Sequence, residues 1–338
     1  MKKAFVFLFL YALTAGIVLY AFTMRAEAEP DFRHSYAAMI DGTAYRPYVY
    51  RTLVPNIVRA IKQITPDAVK VRVNSLHLKQ HTGRITRTCE MLGWDETRMF
   101  TYLVILLIHW ACLIGFAFSM KGLIKALYDL PAFFYDFLPI IALLLLTLGL
   151  AYGMSIIYDP STLLFMALGL LLIVKRRYAL FYPVLLLAIL NKETAFLLIV
   201  FFAVHEFRVM RPGKLAMHLA AQSVAFIAIQ GLIKWHFSGS PGEVARYHLM
   251  DNLLRSSNIS LAYIAFIFVV FGLPIRNSWR SAPVFLRRSF IAGMVFLIPG
   301  WLLFCRLAEV RDLLEIYPVV FLLIVPFITN LFAAKSEV

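Results

Sequence analysis

Asn191-Lys192-Glu193 interrupts an otherwise apolar run of 29 residues, Tyr178 to Glu206. A charged side chain at the centre of a bilayer costs roughly 2.5–3.5 kcal/mol on insertion scales, and one span needs only about 20 apolar residues. The run is therefore expected to fold into two short arms with the triplet at their turn, on a membrane surface. Three other groups lack a routine task. Tyr158-Asp159-Pro160 joins two apolar stretches. Arg306, Glu309, Arg311, Asp312 and Glu315 precede and enter the last one. Asp31, Asp41, Arg46, Tyr50 and Arg51 fall in the one long polar segment, residues 25–99. Arginine and lysine brought together from distant segments can hold a phosphate and stabilise charge growing on it as it departs. A carboxylate beside them can take the proton of an attacking hydroxyl. Next to apolar surfaces, such a set suits a phosphate carried on a long lipid.

Each group also has a purely structural reading. Asp159-Pro160 is a good helix start, with Asp accepting backbone N–H bonds and Pro in the first turn. Lys192 and Glu193 could serve only as a turn, with Glu at a helix N-terminus. The set from Arg306 to Glu315 contains opposite charges at i,i+3 and i,i+4 spacing, which could satisfy one another on a helix. Asp31 and Asp41 could each be a solvated loop acid. His236 and His248 belong to no HxxxH or HExxH pattern, and Cys89, Cys112 and Cys305 have no CxxC spacing, so neither a zinc site nor a disulfide framework is supported.

The elements that must position these residues are membrane helices. The 338-residue chain is 61% hydrophobic and 15% charged, with a mean hydropathy of +0.78; soluble domains carry about 25% charged residues. The fold expected is an all-α polytopic transmembrane bundle forming a single membrane domain over 1–338. It has a first span at 4–24, a long outer loop at 25–99 and further spans over 100–332. These are Phe100–Met120, Phe133–Tyr152, Pro160–Val174, the two arms of the central run, Leu215–Trp235, Ile259–Leu273, Phe290–Phe304 and Leu313–Phe332, about ten in all. Met1-Lys2-Lys3 before the first span resembles a signal peptide, but the apolar region is too long for one and reads as an uncleaved span. Within the outer loop, Val49, Leu53, Ile57, Ile61 and Ile64 at helical spacing, with Arg51, Arg59 and Lys62 among them, point to an interfacial helix over 48–64.

Charge sets the expected orientation. With both termini cytoplasmic, the inner loops hold fifteen Lys and Arg against four Asp and Glu, about +11 of the total +14. That is the bias of a bacterial-type inner-membrane protein. The basic excess therefore reads as membrane topology and not as a nucleic-acid surface, and all the unexplained polar groups face outward, to the non-cytoplasmic side.

Asp31-Phe-Arg-His-Ser-Tyr36 followed by Pro47-Tyr-Val-Tyr-Arg51-Thr-Leu-Val-Pro55 resembles the first loop of integral-membrane glycosyltransferases of the GT-C type. Tyr158-Asp159-Pro160, Asn191-Lys192-Glu193-Thr194 and Glu309-Val-Arg311 fall where such proteins carry comparable short motifs. The resemblance implies transfer of a sugar from a polyprenyl-phosphate donor to a glycan, lipid or protein acceptor on the non-cytoplasmic face, with inversion at the anomeric carbon. It implies Asp31 as the base, with Asp41 as substitute. Arg51, Lys192 and Arg311 would contact the phosphate, and Glu193 and Glu309 would orient sugar or acceptor. Arg46, Tyr50, Asp159, Asn191 and Arg306 complete the candidate binding residues. The chain lacks the Asp-Asp or Glu-x-Asp pair that several such families have in the first loop. No motif assigns a cofactor, and a divalent metal is left open. A transporter or flippase of a lipid-linked or anionic substrate, and a polysaccharide polymerase, are the alternatives.

Overall fold

A computed structural model describes residues 2–24, 33–76, 84–149, 156–243, 247–255, 258–307 and 309–333. Among these residues the protein is all α-helical, with no strand. The first helix, α1 (Lys2–Thr23), is followed by a polar segment carrying α2 (Tyr36–Asp41), α3 (Leu53–Ile64), α4 (Asp67–Asn74) and α5 (Arg84–Leu92). Then come α6 (Met99–Leu127), α7 (Ala132–Gly149), α8 (Asp159–Val174), α9 (Tyr178–Asn191), α10 (Phe196–Glu206) and α11 (Pro212–His236). The series closes with α12 (Leu249–Arg255), α13 (Asn258–Ser278), α14 (Val284–Phe304) and α15 (Tyr317–Ala333).

Five helices, within α1, α6, α11, α13 and α14, are long and apolar enough to cross a membrane. Their outer surfaces carry large apolar side chains such as Phe5, Ile227, Leu232, Phe268 and Val295, each at least half exposed. Only hydrocarbon suits such a surface, and the protein is a membrane protein. Other expected spans, the two short arms of the central run among them, fall on shorter apolar helices. Helices α8, α9 and α15 have 16, 14 and 17 residues, and α10 has 11. At 1.5 Å per residue, α10 reaches only about 16 Å, half of a ~30 Å hydrocarbon core.

The central run folds as a hairpin. Tyr178 and Phe181 at the start of α9 pack on Phe202 near the end of α10, with ring centroids 5.4 and 5.6 Å apart. At the same end Arg176 lies 3.9 Å from Glu206. The tip is a sharp break: Lys192 is extended (φ −159°, ψ 142°), and a single 3-10 turn, Glu193–Ala195, starts the return arm. Most of the tip is enclosed by protein. Asn191 and Lys192 are 1% and 6% exposed, because other segments of the chain close over them.

Close helix contact places the hairpin. Gly115 and Gly122 of α6 face Leu164 and Leu171 of α8, and a Cβ at either glycine would lie 2.9 Å from a leucine methyl. Gly169 on α8 admits Leu198 of α10 in the same way, at 2.6 Å. Small residues let membrane helices approach closely where no hydrophobic effect drives them together.

The polar segment after α1 packs back on the bundle as a cap with its own apolar core. Tyr36, Met39, Ile40, Val49, Tyr50, Val54 and Val58 are buried with Phe100, Tyr102 and Ile105 of α6, Ile156 to Tyr158 before α8, and Ile233 of α11. The helix expected over 48–64 is split. A 3-10 turn covers Tyr48–Tyr50, and α3 begins only at Leu53. Its buried face is Leu53, Val54 and Val58, whereas Ile57 and Ile64 are 38% and 81% exposed. The break turns Arg51 inward, where it is 8% exposed.

Candidate functional site

Four segments distant in sequence meet at one end of the bundle: the 48–52 turn, the start of α8, the hairpin tip, and the connection from α14 to α15. Each arrives by a local device. The Thr52 amide donates to the Leu190 carbonyl at 3.0 Å, tying the cap to the end of α9. The Asn191 amide group donates to Thr162 Oγ1 at 2.9 Å and to the Tyr158 carbonyl at 3.2 Å, while its oxygen accepts from Ser161 Oγ at 2.6 Å. One side chain thus fastens the hairpin tip to the start of α8. The connection before α15 forms a 3-10 turn, Val310–Leu313, whose Arg311 side chain points to α8.

Three buried cations occupy the meeting point. Arg51 makes a two-point pair with Glu193, Nη2 to Oε1 at 2.6 Å and Nε to Oε2 at 3.2 Å, and lies 4.2 Å above the Tyr158 ring. Lys192 donates to Glu315 Oε1 at 2.6 Å, and Thr194 Oγ1 donates to the same oxygen at 2.7 Å. Arg311 Nη1 is 3.4 Å from Asp159 Oδ2, and its Nη2 is 3.8 Å from Glu309. Asp159 Oδ2 also accepts from the Ile156 amide at 3.1 Å. Arg311 Nε and Glu315 Oε2 are buried without a hydrogen-bond partner.

The carboxylates differ in state. Burial works to raise the Glu193 carboxyl, but the two-point Arg51 contact and nearby Lys192 overcome it and hold the group at about 2. Burial acts the same way on Glu309 and Asp312, which sit side by side. There it prevails at Glu309, which is raised despite Arg311 and further pushed up by Asp312. At Asp312 the attraction of Arg311 and Lys192, with a bond from the Cys305 thiol, outweighs burial and lowers the group.

Of the candidate residues, the structure brings together Arg51, Asp159, Asn191, Lys192, Glu193, Glu309 and Arg311. Arg306 is exposed at the edge, close enough to act on Glu309 electrostatically. Others lie elsewhere. Arg46 donates to the carbonyls of Ser238 and Gly242 at 3.3 and 2.7 Å, holding the loop after α11. Tyr50 is buried in the core of the cap, and Tyr48 supplies the ring near the cluster, 5.7 Å from the Arg51 guanidinium. Asp41 ends α2 and pairs with Arg98 at 2.5 Å. Asp31 lies outside the described residues. Among the described residues, no three His, Cys, Asp or Glu side chains converge as a metal-ligand set.

Glu315 and Thr194 are the partners that spacing alone hides. Glu315 stands four residues after Arg311, which suggests a helical pair, but the chain there is a 3-10 turn and α15 starts at Tyr317. Glu315 therefore faces Lys192, 123 residues away in sequence. The local ion-pair network on one helix is replaced by contacts between elements. Comparison with protein-family models, with curated proteins and with solved structures finds no match.

Proposed function

We propose that the protein is an inverting membrane glycosyltransferase of the GT-C type, taking a sugar from a polyprenyl-phosphate donor. The acceptor is a glycan, lipid or protein on the non-cytoplasmic face. The chain would sit in a bacterial-type cytoplasmic membrane, multi-pass, with both termini inside. One observation carries this reading: Arg51, Lys192 and Arg311, supplied by three segments distant in sequence, are buried together in one cluster. Three cations drawn from separate elements, each now paired with a carboxylate, can serve a phosphate once those pairs exchange. Arg311 Nε, buried without an acceptor, offers the first bond to a phosphate oxygen. The remaining bonds would come by exchange with the carboxylates now holding the guanidinium groups. In the reaction the acceptor oxygen attacks the anomeric carbon opposite the phosphate, and the cations stabilise the second negative charge that develops on the departing phosphate.

The test uses purified protein in lipid nanodiscs with a radiolabelled polyprenyl-phosphate sugar and a panel of acceptors. Release of free polyprenyl phosphate together with labelled acceptor, and loss of both in K192A, is the expected result. Absence of bond cleavage with every acceptor would sink the reading. A second reading, a transporter of the same lipid, draws on the broken helix at Lys192, since interrupted helices line substrate sites in transporters. In liposomes it would move label between leaflets with the sugar–phosphate bond intact.

A further inference from the structure

The cluster does not balance its own charge. Three buried cations, Arg51, Lys192 and Arg311, face five carboxylates: Asp159, Glu193, Glu309, Asp312 and Glu315. Two negative charges are left over, and Arg306, exposed to solvent, can offset only part of one. A site built only to hold a phosphate would carry the opposite imbalance.

The surplus can be located. Glu193 is taken by two bonds from Arg51, Glu315 by Lys192 and Thr194, and Asp159 by Arg311 and a backbone amide. Asp312 accepts from the Cys305 thiol and is held ionised by Arg311 and Lys192. Glu309 has no hydrogen bond from a cation; its side chain shares one with the neighbouring Asp312 carboxyl instead. Its nearest cationic atom, Arg311 Nη2, is 3.8 Å away, beyond hydrogen-bond range. Its side chain is 28% exposed, against 2% for Asp159 and 0% for Glu315; Glu193 is more exposed, at 36%, but both of its oxygens are taken by Arg51. Glu309 and Asp312 are the two of the five with no hydrogen bond from a cation, and both are half-buried; Asp312 is occupied by the Cys305 thiol, which leaves the Glu309 side chain as the one open to an incoming molecule.

We propose that Glu309 is the catalytic base of the transfer, the group that accepts the proton of the acceptor hydroxyl. This rests on the glycosyltransferase reading and replaces the first-loop acid that the family resemblance implies. The acceptor O–H bond breaks and its proton passes to a Glu309 carboxylate oxygen. The acceptor oxygen forms its bond to the anomeric carbon. The bond from that carbon to the phosphate oxygen breaks, and its electron pair leaves with the polyprenyl phosphate. Two adjacent carboxyls whose surroundings push them apart divide the roles in the usual way: Asp312 stays ionised and Glu309 binds the proton. The groups acting on Glu309 are Arg306, Arg311 and Asp312 from its own connection, with Cys305 beside them and Tyr48 facing it from the cap.

The experiment compares wild type, E309Q, E309D and D31N in nanodiscs, with the same donor and a productive acceptor, across pH. E309Q is expected to lower kcat by about 100-fold or more, the usual scale of general-base loss, with donor KM changed less than about threefold. The fall in wild-type kcat toward acid pH should be missing from the residual E309Q activity and present in E309D, which should recover part of the rate. Wild-type turnover in E309Q, or an acid limb that survives in E309Q and vanishes in D31N, would overturn the assignment while leaving the glycosyltransferase reading intact. A wild type that cleaves no donor would remove both.

Discussion

Arg51 and Glu193 show how one side-chain choice fixes a site. The guanidinium fork meets both carboxylate oxygens, a geometry that lysine cannot reproduce. Removing Arg51 leaves Glu193 without its cation in a largely enclosed position. Because Glu193 keeps about a third of its side chain exposed, R51A is expected to cost about 2–3 kcal/mol, below the range for a fully buried pair. The R51A/E193Q double variant should recover part of that loss in denaturant unfolding, whereas R51K should not restore wild-type stability. The sign of the pH effect follows from the carboxyl. Its folded value of about 2 is depressed below that of an unfolded glutamate. Its stabilisation should therefore be complete above about pH 5 and fade as pH falls from about 4.3 toward 2. The stability difference between wild type and E193Q should shrink over that window; a difference that persists at pH 2 would show that the pair is not its source.

At the scale of elements, the tip of the α9–α10 hairpin is held at the right depth by helix contacts that tolerate no added atom. Leu198 is fully buried and would lie 2.6 Å from a Cβ at Gly169. G169A should therefore destabilise by about 1–3 kcal/mol through overpacking, although alanine is the better helix former by about 1 kcal/mol. G231A, where nothing lies within 4 Å, should show the reverse sign, and opposite shifts in Tm for the two variants would establish the contact. The cap offers a parallel pair. V58D places a charge in a fully buried position, while Ile64 is 81% exposed. V58D should unseat the cap, expose the segment after α3 to protease and abolish transfer, whereas I64K should do none of these in detergent.

For the molecule as a whole, the ends of the helices sort into two sets. The ionic cluster, the cap and the loop after α11 share one end. Lys121 paired with Asp136, and Arg176 near Glu206, belong to the other. If the proposed orientation holds, a cysteine at Arg306 should react with a membrane-impermeant maleimide in intact cells, and one at Arg208 only after permeabilisation; the reverse pattern would invert the protein.

The apolar runs by themselves determined an all-α membrane bundle and a break at Asn191-Lys192-Glu193. Those features follow from free energies of transfer to hydrocarbon, which act on each segment separately and are written in residue type. Tertiary structure alone decided that Arg51, Asp159, Lys192 and Arg311 meet, that Asn191 and Lys192 are enclosed, that Glu315 belongs to Lys192 and Glu193 to Arg51, and that α3 buries Val54 and Val58 while exposing Ile64. It also decided that Glu309 meets Arg311 only at 3.8 Å, a longer contact than the other carboxylates make with their cations. Charges close in sequence look like partners, but pairing depends on distance in space, and a 3-10 turn and an extended residue were enough to send each side chain to another element.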